Sequence, residues 1–212
     1  MEGLILKKIA YQDRHLIINL LLRSAQCLSV LCYGGQGGGK KQKVDQLQLG
    51  SLVSVNLNHR SQQSELVSGK DWKVQWVSNQ IRKNHRRFFA QCFLLEVAKV
   101  FAPTVTFADI EQQDSTEFSL LSNALYYLDQ ECERKIILMY LTKMMFVQGI
   151  FPRQGLEKEL LQLIQQVKSL KFSELAQVSS EHLHSDIKEL LLYMGEQFNL
   201  SFVNLNSYQF LS

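Results

Sequence analysis

Three short apolar segments open the chain, and they constrain its fold more than any other feature. The segments 3–11, 15–23 and 27–33 are rich in Leu, Ile and Val, and a polar turn of three residues separates each from the next. Residues 34–41, directly after the third segment, are five glycines, one glutamine and two lysines. Short strands followed by a glycine-rich basic loop are typical of a small barrel that offers cations to a polyanion. The opening of the chain therefore predicts binding and not catalysis.

The alternation of apolar residues continues to residue 78 and then changes its period. Residues 52–57, 66–67 and 72–77 supply further strand candidates, which brings the count to five or six. A closed five-stranded sheet of this length has the size of an OB-fold, a small barrel that binds single-stranded nucleic acid on one face. From residue 79 the apolar residues recur every three or four positions, which predicts a helix that ends near Phe101, before Pro103.

The remainder of the chain is predicted to be helical. Apolar spacing and the cap and stop residues predict helices at 115–131, 133–148, 156–167, 172–177 and 185–199. The predicted fold is therefore α+β with two domains, an N-terminal OB-fold β-barrel at 1–78 and an all-α domain at 79–212.

Charge divides the chain in a similar way. Residues 1–100 hold 15 Lys and Arg against 6 Asp and Glu, a balance of +9, whereas residues 101–212 hold 8 against 14, a balance of −6. A basic front half suits contact with nucleic acid. We predict DNA binding for the barrel and protein interaction for the acidic helical domain. A solvated basic face without a ligand is the alternative.

Composition excludes several classes of protein. With 46% hydrophobic residues and only two prolines, the chain is neither disordered nor collagen-like. No apolar run approaches the roughly 20 residues of a membrane span, and no signal-peptide core follows the N-terminus. We therefore predict a soluble, cytoplasmic protein without a membrane partner. The four cysteines form no Cys-x-x-Cys pair, and no histidine is spaced with them as a metal ligand, so neither a metal nor a cofactor is predicted.

The glycine stretch also fits the bare Gly-x-x-x-x-Gly-Lys pattern of a phosphate-binding P-loop. Lys41 stands where that motif needs a Ser or Thr to hold magnesium, and no amphipathic helix follows. No Ser-His-Asp, Cys-His or paired-carboxylate arrangement stands out elsewhere in the sequence. We therefore predict that the protein is not an enzyme.

Two basic clusters are the candidate DNA-binding residues. The lysines of the glycine-rich loop are the first choice for phosphate contacts. The second cluster opens the first predicted helix, where cations oppose the helix dipole and no structural reason for them is evident from the sequence. The candidates are Lys40, Lys41, Lys43, Arg82, Lys83, Arg86 and Arg87.

Two aromatic pairs each have two candidate roles. Trp72 and Trp76 lie on the same face of a predicted strand, where they either stack on bases or close the bottom of the barrel or pack on the helical domain. Phe88 and Phe89 continue an apolar stripe and either stack on bases or belong to the core. For both pairs the sequence favours packing.

Three stretches of the chain resemble the bacterial recombination and repair family RecO. The first contains Leu-Ile-Leu-Lys-Lys at 4–8, the next two strands, and Gly34-Gly35 with the basic loop. The second runs from Tyr140 to Met145 and leads to Gly149-Ile150-Phe151-Pro152, and the third, which is looser, comprises 190–198 and 206–211. In this order they span most of the chain.

The resemblance implies a recombination mediator without enzymatic turnover. Members of the family bind single- and double-stranded DNA and anneal strands coated by single-strand-binding protein. They hold the C-terminal tail of that protein through the helical domain, and they work with RecR to load the RecA recombinase. The implied partners here are DNA, a RecR-like mediator protein and that tail. The candidate partner-binding residues are Lys143 on the central helix and, as substitutes a turn before the family's basic position, Arg134 and Lys135.

The chain departs from the family pattern at three places. The four-cysteine zinc module that many members carry is missing after Pro152, and the cations of the loop are lysines and not arginines. Leu138 and Met139 stand where a basic residue often precedes the aromatic of the central helix. The acidity of this half favours an alternative function, a protein-interaction adaptor that keeps the fold and does not bind DNA.

Overall fold

The chain folds into a closed β-barrel followed by helices. The structure, a computed structural model, describes residues 1–34, 47–58, 66–130, 132–152, 155–178, 181–202 and 205–207. The barrel closes in the strand order β1-β2-β3-β5-β4. Its strands are β1 Glu2–Tyr11, β2 His15–Leu22, β3 Cys27–Cys32, β4 Leu52–Leu57 and β5 Leu66–Trp76. The predicted α+β chain, with an N-terminal barrel before a helical region, is confirmed.

The register of the strands turns one set of apolar side chains inward. Antiparallel pairing joins β1 to β2 and β4, β2 to β3, and β4 to β5, whereas β3 and β5 run parallel. Ile18, Leu20, Val30, Val53 and Val67 are each fully buried in the barrel core. Each such burial stabilises the fold by about 1.5–3 kcal/mol. Because side chains alternate along a strand, the residues between them face outward.

Two residues of β5 show how the barrel interior is filled. A Cβ atom at Gly69 would lie 2.6 Å from Val30 Cγ1 and 2.8 Å from Val55 Cγ2, so only glycine fits there. Trp72 packs against the same core, and its indole N–H is buried without a hydrogen-bond partner among the described residues. Of the two candidate roles of Trp72, packing is therefore the one that the structure supports.

A segment that follows the first helix returns to the barrel. The Cys27 amide donates a hydrogen bond to Pro103 O (2.8 Å), Val105 donates to Cys27 O (3.1 Å), and Ser115 donates to Arg23 O (2.7 Å). Residues Met1–Ser78 and Ala98–Ser119 form one compact unit, and Asn79–Val97 with Leu120–Ser212 form a second. Sequence periodicity does not indicate this return, and the roles given to the predicted domains 1–78 and 79–212 stay predictions.

Within the described residues, five α-helices follow the barrel strands. They are α1 His85–Phe101, α2 Thr116–Leu128, α3 Glu133–Val147, α4 Lys158–Ser169 and α5 Leu183–Phe198. The first begins later than the predicted residue 79, because Ile81–Lys83 form a separate 3₁₀ turn. The predicted helix at 172–177 is also a 3₁₀ helix.

Helix α3 is the central helix of the second unit. Every residue from Ile136 to Thr142 is buried, and a helix that is apolar on all sides belongs inside a bundle. Helices α4 and α5 both pack against it. None of the helices that the structure describes combines the length and the apolar character needed to cross a membrane.

Candidate nucleic-acid interface

The outward side chains of β1, β2 and β3 form one continuous surface. Tyr11 is directly opposite His15 in the register of β1 and β2, and the β2–β3 register pairs Leu16 with Cys32, so His15 meets Tyr33 next. The ring centroids of His15 and Tyr33 are 5.1 Å apart, with an interplanar angle of 77°. We call this surface the outer face; it comprises Lys7, Ile9, Tyr11, His15, Ile17, Asn19, Ser29, Leu31 and Tyr33.

The outer face is apolar and aromatic although it is partly open to solvent. Tyr33 is 62% exposed and Ile9 is 39% exposed, while Tyr11, Ile17 and Leu31 are half-buried. Aromatic side chains on an open sheet face stack on nucleic-acid bases without regard to sequence, because every base has a π-face. The outer face thus has the chemistry of a base-stacking surface.

Polar and charged side chains lie at both ends of the outer face. Asn19 Nδ2 donates to Ser29 Oγ at 2.9 Å and ties β2 to β3 at the end away from the aromatic row. Lys7 is exposed on β1 directly opposite Asn19. Arg14 and Asp13 are exposed in the turn between β1 and β2. Two cations and one carboxylate therefore border the stacking surface, a balance that favours a polyanion.

The glycine-rich loop begins at the aromatic end of the outer face. The Gly34 amide donates a hydrogen bond to His15 Nδ1 at 3.1 Å, and Gly34 has a φ of +72°, a conformation that glycine adopts without strain. Lys40, Lys41 and Lys43 lie outside the described residues, so their role in phosphate binding stays a prediction.

The second basic cluster divides into two kinds of residue. Asn84 caps α1, since its Oδ1 accepts hydrogen bonds from the amides of Arg86 (3.0 Å) and Arg87 (3.3 Å). The Arg87 guanidinium is half-buried and donates to the carbonyl oxygen of Asp129 after α2. A cation is favourable at that end of a helix, so Arg87 has a structural role that the sequence did not indicate. Arg82, Lys83 and Arg86 are exposed.

The three predicted partner-binding residues do not form one cluster. Arg134 and Lys143 are nine residues apart on α3, which places them on opposite sides of the helix. Lys143 Nζ donates to Lys168 O at 3.0 Å, and burial lowers the pKa of this ammonium. Lys135 Nζ donates to Leu175 O at 3.4 Å, whereas Arg134 is exposed.

A cluster of aromatic and cationic side chains that sequence patterns do not reveal lies beside Lys143. The Lys168 ammonium lies 4.3 Å from the ring centroid of Phe146 and 5.8 Å from that of Phe151. The two rings are 5.5 Å apart, and Phe151 is 58% exposed. Phe151 belongs to the Gly-x-x-Pro stretch singled out above, but only the packing of α4 on α3 brings Lys168 to it.

The remaining candidate aromatics have intermediate positions. Phe88 is 37% exposed and meets the edge of Phe89 at 5.8 Å, so the predicted core position holds only in part for Phe88. Trp76 is half-buried on β5. Across the parts of the chain that the structure describes, no three His, Cys, Asp or Glu side chains come together as a metal site.

We compared the chain with models of protein families and with curated proteins. No family model matches the chain, and no curated protein matches it. The relationship to RecO therefore stays a prediction that rests on the motifs quoted in the sequence analysis.

Proposed function

We propose that this protein is a non-enzymatic DNA-binding mediator of recombinational repair, which binds and anneals single-stranded DNA and helps to load the recombinase. We also propose that its barrel is an OB-fold. The strand order β1-β2-β3-β5-β4 and the parallel pairing of β3 with β5 support this assignment. In OB-folds the face around the second and third strands and the adjoining loops bind oligonucleotides.

The observation that carries the proposal is the row of Tyr11, His15 and Tyr33 at one end of the outer face, with Lys7 toward its other end. Strand register places Tyr11 opposite His15, and the His15 and Tyr33 rings are in contact. Tyr33 offers most of its surface to a ligand. Base stacking on an aromatic ring contributes about 1–3 kcal/mol per base. The bases of a duplex are already stacked on one another, so this surface favours unpaired bases over double-stranded DNA.

Cations would hold the backbone while the rings hold the bases. Lys7 and Arg14 border the stacking surface, and the lysines of the glycine-rich loop follow Gly34 in the chain. Each phosphate that they neutralise releases a counterion, which makes binding weaker as salt rises. Arg82, Lys83 and Arg86 are the second proposed set of phosphate contacts. A strand held by its backbone and by π-faces keeps its base-pairing edges available to a complementary strand, as annealing requires.

The helical region is proposed to hold the protein partners, a RecR-like mediator and the acidic, apolar C-terminal tail of single-strand-binding protein. The exposed ring of Phe151 and the ammonium of Lys168 support this proposal, because they offer an apolar contact and a positive charge together. We infer a cytoplasmic location, which fits the buried free thiols of Cys27 and Cys32.

A second candidate function is a protein-interaction adaptor that does not bind DNA. It is favoured by Arg87, a predicted DNA-binding cation that instead donates to a main-chain carbonyl oxygen within the helical unit.

Fluorescence anisotropy of a labelled single strand at several salt concentrations tests the proposal. A strand of about 30 nucleotides should bind with an affinity that falls steeply with salt, and an unlabelled duplex should compete poorly. The logarithm of the binding constant falls linearly with the logarithm of the salt concentration, and Lys7→Glu should make this salt slope shallower by about 0.7, the value for one phosphate contact on a single strand. Lys188→Glu, an exposed lysine on α5, is the matched control. Absence of binding at low salt would reject the mediator and leave the adaptor.

A further inference from the structure

We propose that His15 is a positioning residue that holds Tyr33 as a platform for one unpaired base, and that this pair is the source of a preference for single strands. The inference rests on the proposed function, since it assigns the substrate class of the same outer face. His15 contacts both Tyr33 and the residue that follows it, Gly34.

The hydrogen bond defines how the His15 ring is held. Because the Gly34 N–H donates to Nδ1 at 3.1 Å, Nδ1 carries a lone pair and the ring proton is on Nε2. The bond fixes the point where the chain leaves β3, one residue after Tyr33. Gly34 has no side chain and a positive φ, so backbone geometry here depends on such a bond more than it would at a bulkier residue.

The ring contact acts on the side chain of Tyr33. At 5.1 Å and 77° the imidazole and phenol rings meet edge to face, one of the favoured arrangements of aromatic pairs. The Tyr33 ring is 62% exposed although it is held on one side. An exposed ring that is already restricted loses less rotamer entropy when a base stacks on it.

The geometry of the strands limits what stacks there. Tyr11 lies opposite His15 on the neighbouring strand and Tyr33 directly follows β3 on its other side, and paired strands are about 4.8 Å apart in a sheet, so the Tyr33 platform ends a row of three aromatic residues. A base must leave its own stack to meet such a row. Unpaired bases do so readily, whereas paired ones must first be unstacked.

Five variants separate the two contacts of His15. Tyr33→Leu removes the platform, and Tyr33→Phe keeps the ring. His15→Phe keeps an aromatic contact but removes the acceptor, whereas His15→Asn places an oxygen where Nδ1 stands and restores the acceptor. Tyr126→Leu is the control, because Tyr126 is 50% exposed on α2 in the helical part of the chain. Thermal unfolding of each variant checks that the fold is kept.

The probe is a single strand that carries 2-aminopurine, whose fluorescence is quenched when it stacks. At saturating protein the wild type, Tyr33→Phe and Tyr126→Leu should quench it fully, and Tyr33→Leu should not quench it. His15→Asn, which lacks the ring contact, should quench it in part, and His15→Phe, which lacks the hydrogen bond, should quench it less than His15→Asn does. Tyr33→Leu should weaken single-strand binding at least about fivefold and His15→Phe about two- to tenfold. The salt slope and the duplex affinity should not change, because no phosphate contact is lost.

Two results would overturn the inference alone. Wild-type single-strand binding and quenching that persist in Tyr33→Leu would show that another residue stacks. A loss of 2-aminopurine quenching in His15→Asn that is as large as the loss in His15→Phe would show that the hydrogen bond does not position the platform. Failure of the wild type to bind single strands at any salt concentration would instead overturn the proposed function, and this inference with it.

Discussion

Three of the four cysteines are sheltered, and burial makes their thiols harder to ionise. Burial raises the pKa of the Cys27 and Cys32 thiols, although the Lys99 charge opposes the rise at Cys27. Burial, and secondly the charge of Glu96, raises the pKa of Cys92 to about 11. Cys132 is exposed just before α3. Since the thiolate is the reactive form, environment and not sequence spacing decides which cysteine reacts.

We predict that one thiol of the native protein reacts rapidly with a disulfide reagent at pH 8, and that this thiol is Cys132. At pH 8 only about one Cys92 thiol in a thousand is ionised, and Cys27 and Cys32 are inaccessible as well. Absorbance of the released thiolate measures the reaction, and all four cysteines should react in denaturant. Cys132→Ser should abolish the rapid phase; a rapid phase that survives this change would contradict the prediction.

At the scale of elements, α1 begins where Asn84 caps it. The Oδ1 atom of Asn84 satisfies two amides of the first turn, and the Asn84 carbonyl accepts a bond from Phe88 at 3.0 Å. The first turn contains no acidic residue, so the cap is the main compensation for the arginines there. The same cap therefore positions part of the second basic cluster.

We predict that Asn84→Ala lowers the free energy of unfolding by about 1 kcal/mol, because two amides lose their acceptor. The midpoint of urea unfolding measures the change. Asn84→Asp is the control, because it keeps the acceptor and adds a negative charge that the helix N-terminus favours. Its urea midpoint should be at least as high as that of the wild type. Equal midpoints for Asn84→Ala and Asn84→Asp would refute the capping role.

At the scale of the whole molecule, charge is distributed unevenly along the chain. The first hundred residues carry a balance of +9 and the remainder −6, so a nucleic acid is attracted to one part and repelled by the other. The lysines of the glycine-rich loop make up a third of the excess at the front.

We predict that changing Lys40, Lys41 and Lys43 together to Glu weakens single-strand binding and makes its salt slope shallower by about 2, the value for three phosphate contacts. Anisotropy titrations over a range of salt measure both effects. The triple variant Lys99→Glu, Lys158→Glu and Lys188→Glu has the same net charge and is the control, since these three lysines are exposed elsewhere. If both triple variants change the salt slope equally, the effect comes from the net charge of the protein and not from phosphate contacts of the loop.

Local sequence patterns predict much of the fold, but they predict less of the candidate site. The period-two alternation in β3 and β4 and the three- to four-residue spacing in α4 and α5 reflect burial on one side of each element, which sequence records directly. The 3₁₀ turn at Ile81–Lys83 and the late start of α1 depend on a single cap, which the spacing of apolar residues does not reveal. Arg87 seemed free for a ligand because its acceptor, Asp129, is 42 residues away.

The sequence by itself determined that this chain forms a strand-rich basic front and a helical acidic remainder, because periodicity and charge are local properties. Only the tertiary structure decided which strands close the barrel, and therefore which side chains share the outer face. A three-residue turn joins Tyr11 to His15, but Tyr33 follows β3, and the spacing of apolar residues does not reveal the register that places it beside them. Strand register brings them side by side, and in the same way the packing of α4 on α3 places Lys168 over Phe146 and Phe151. Long-range pairing is settled by the burial of the whole core and not by any one segment.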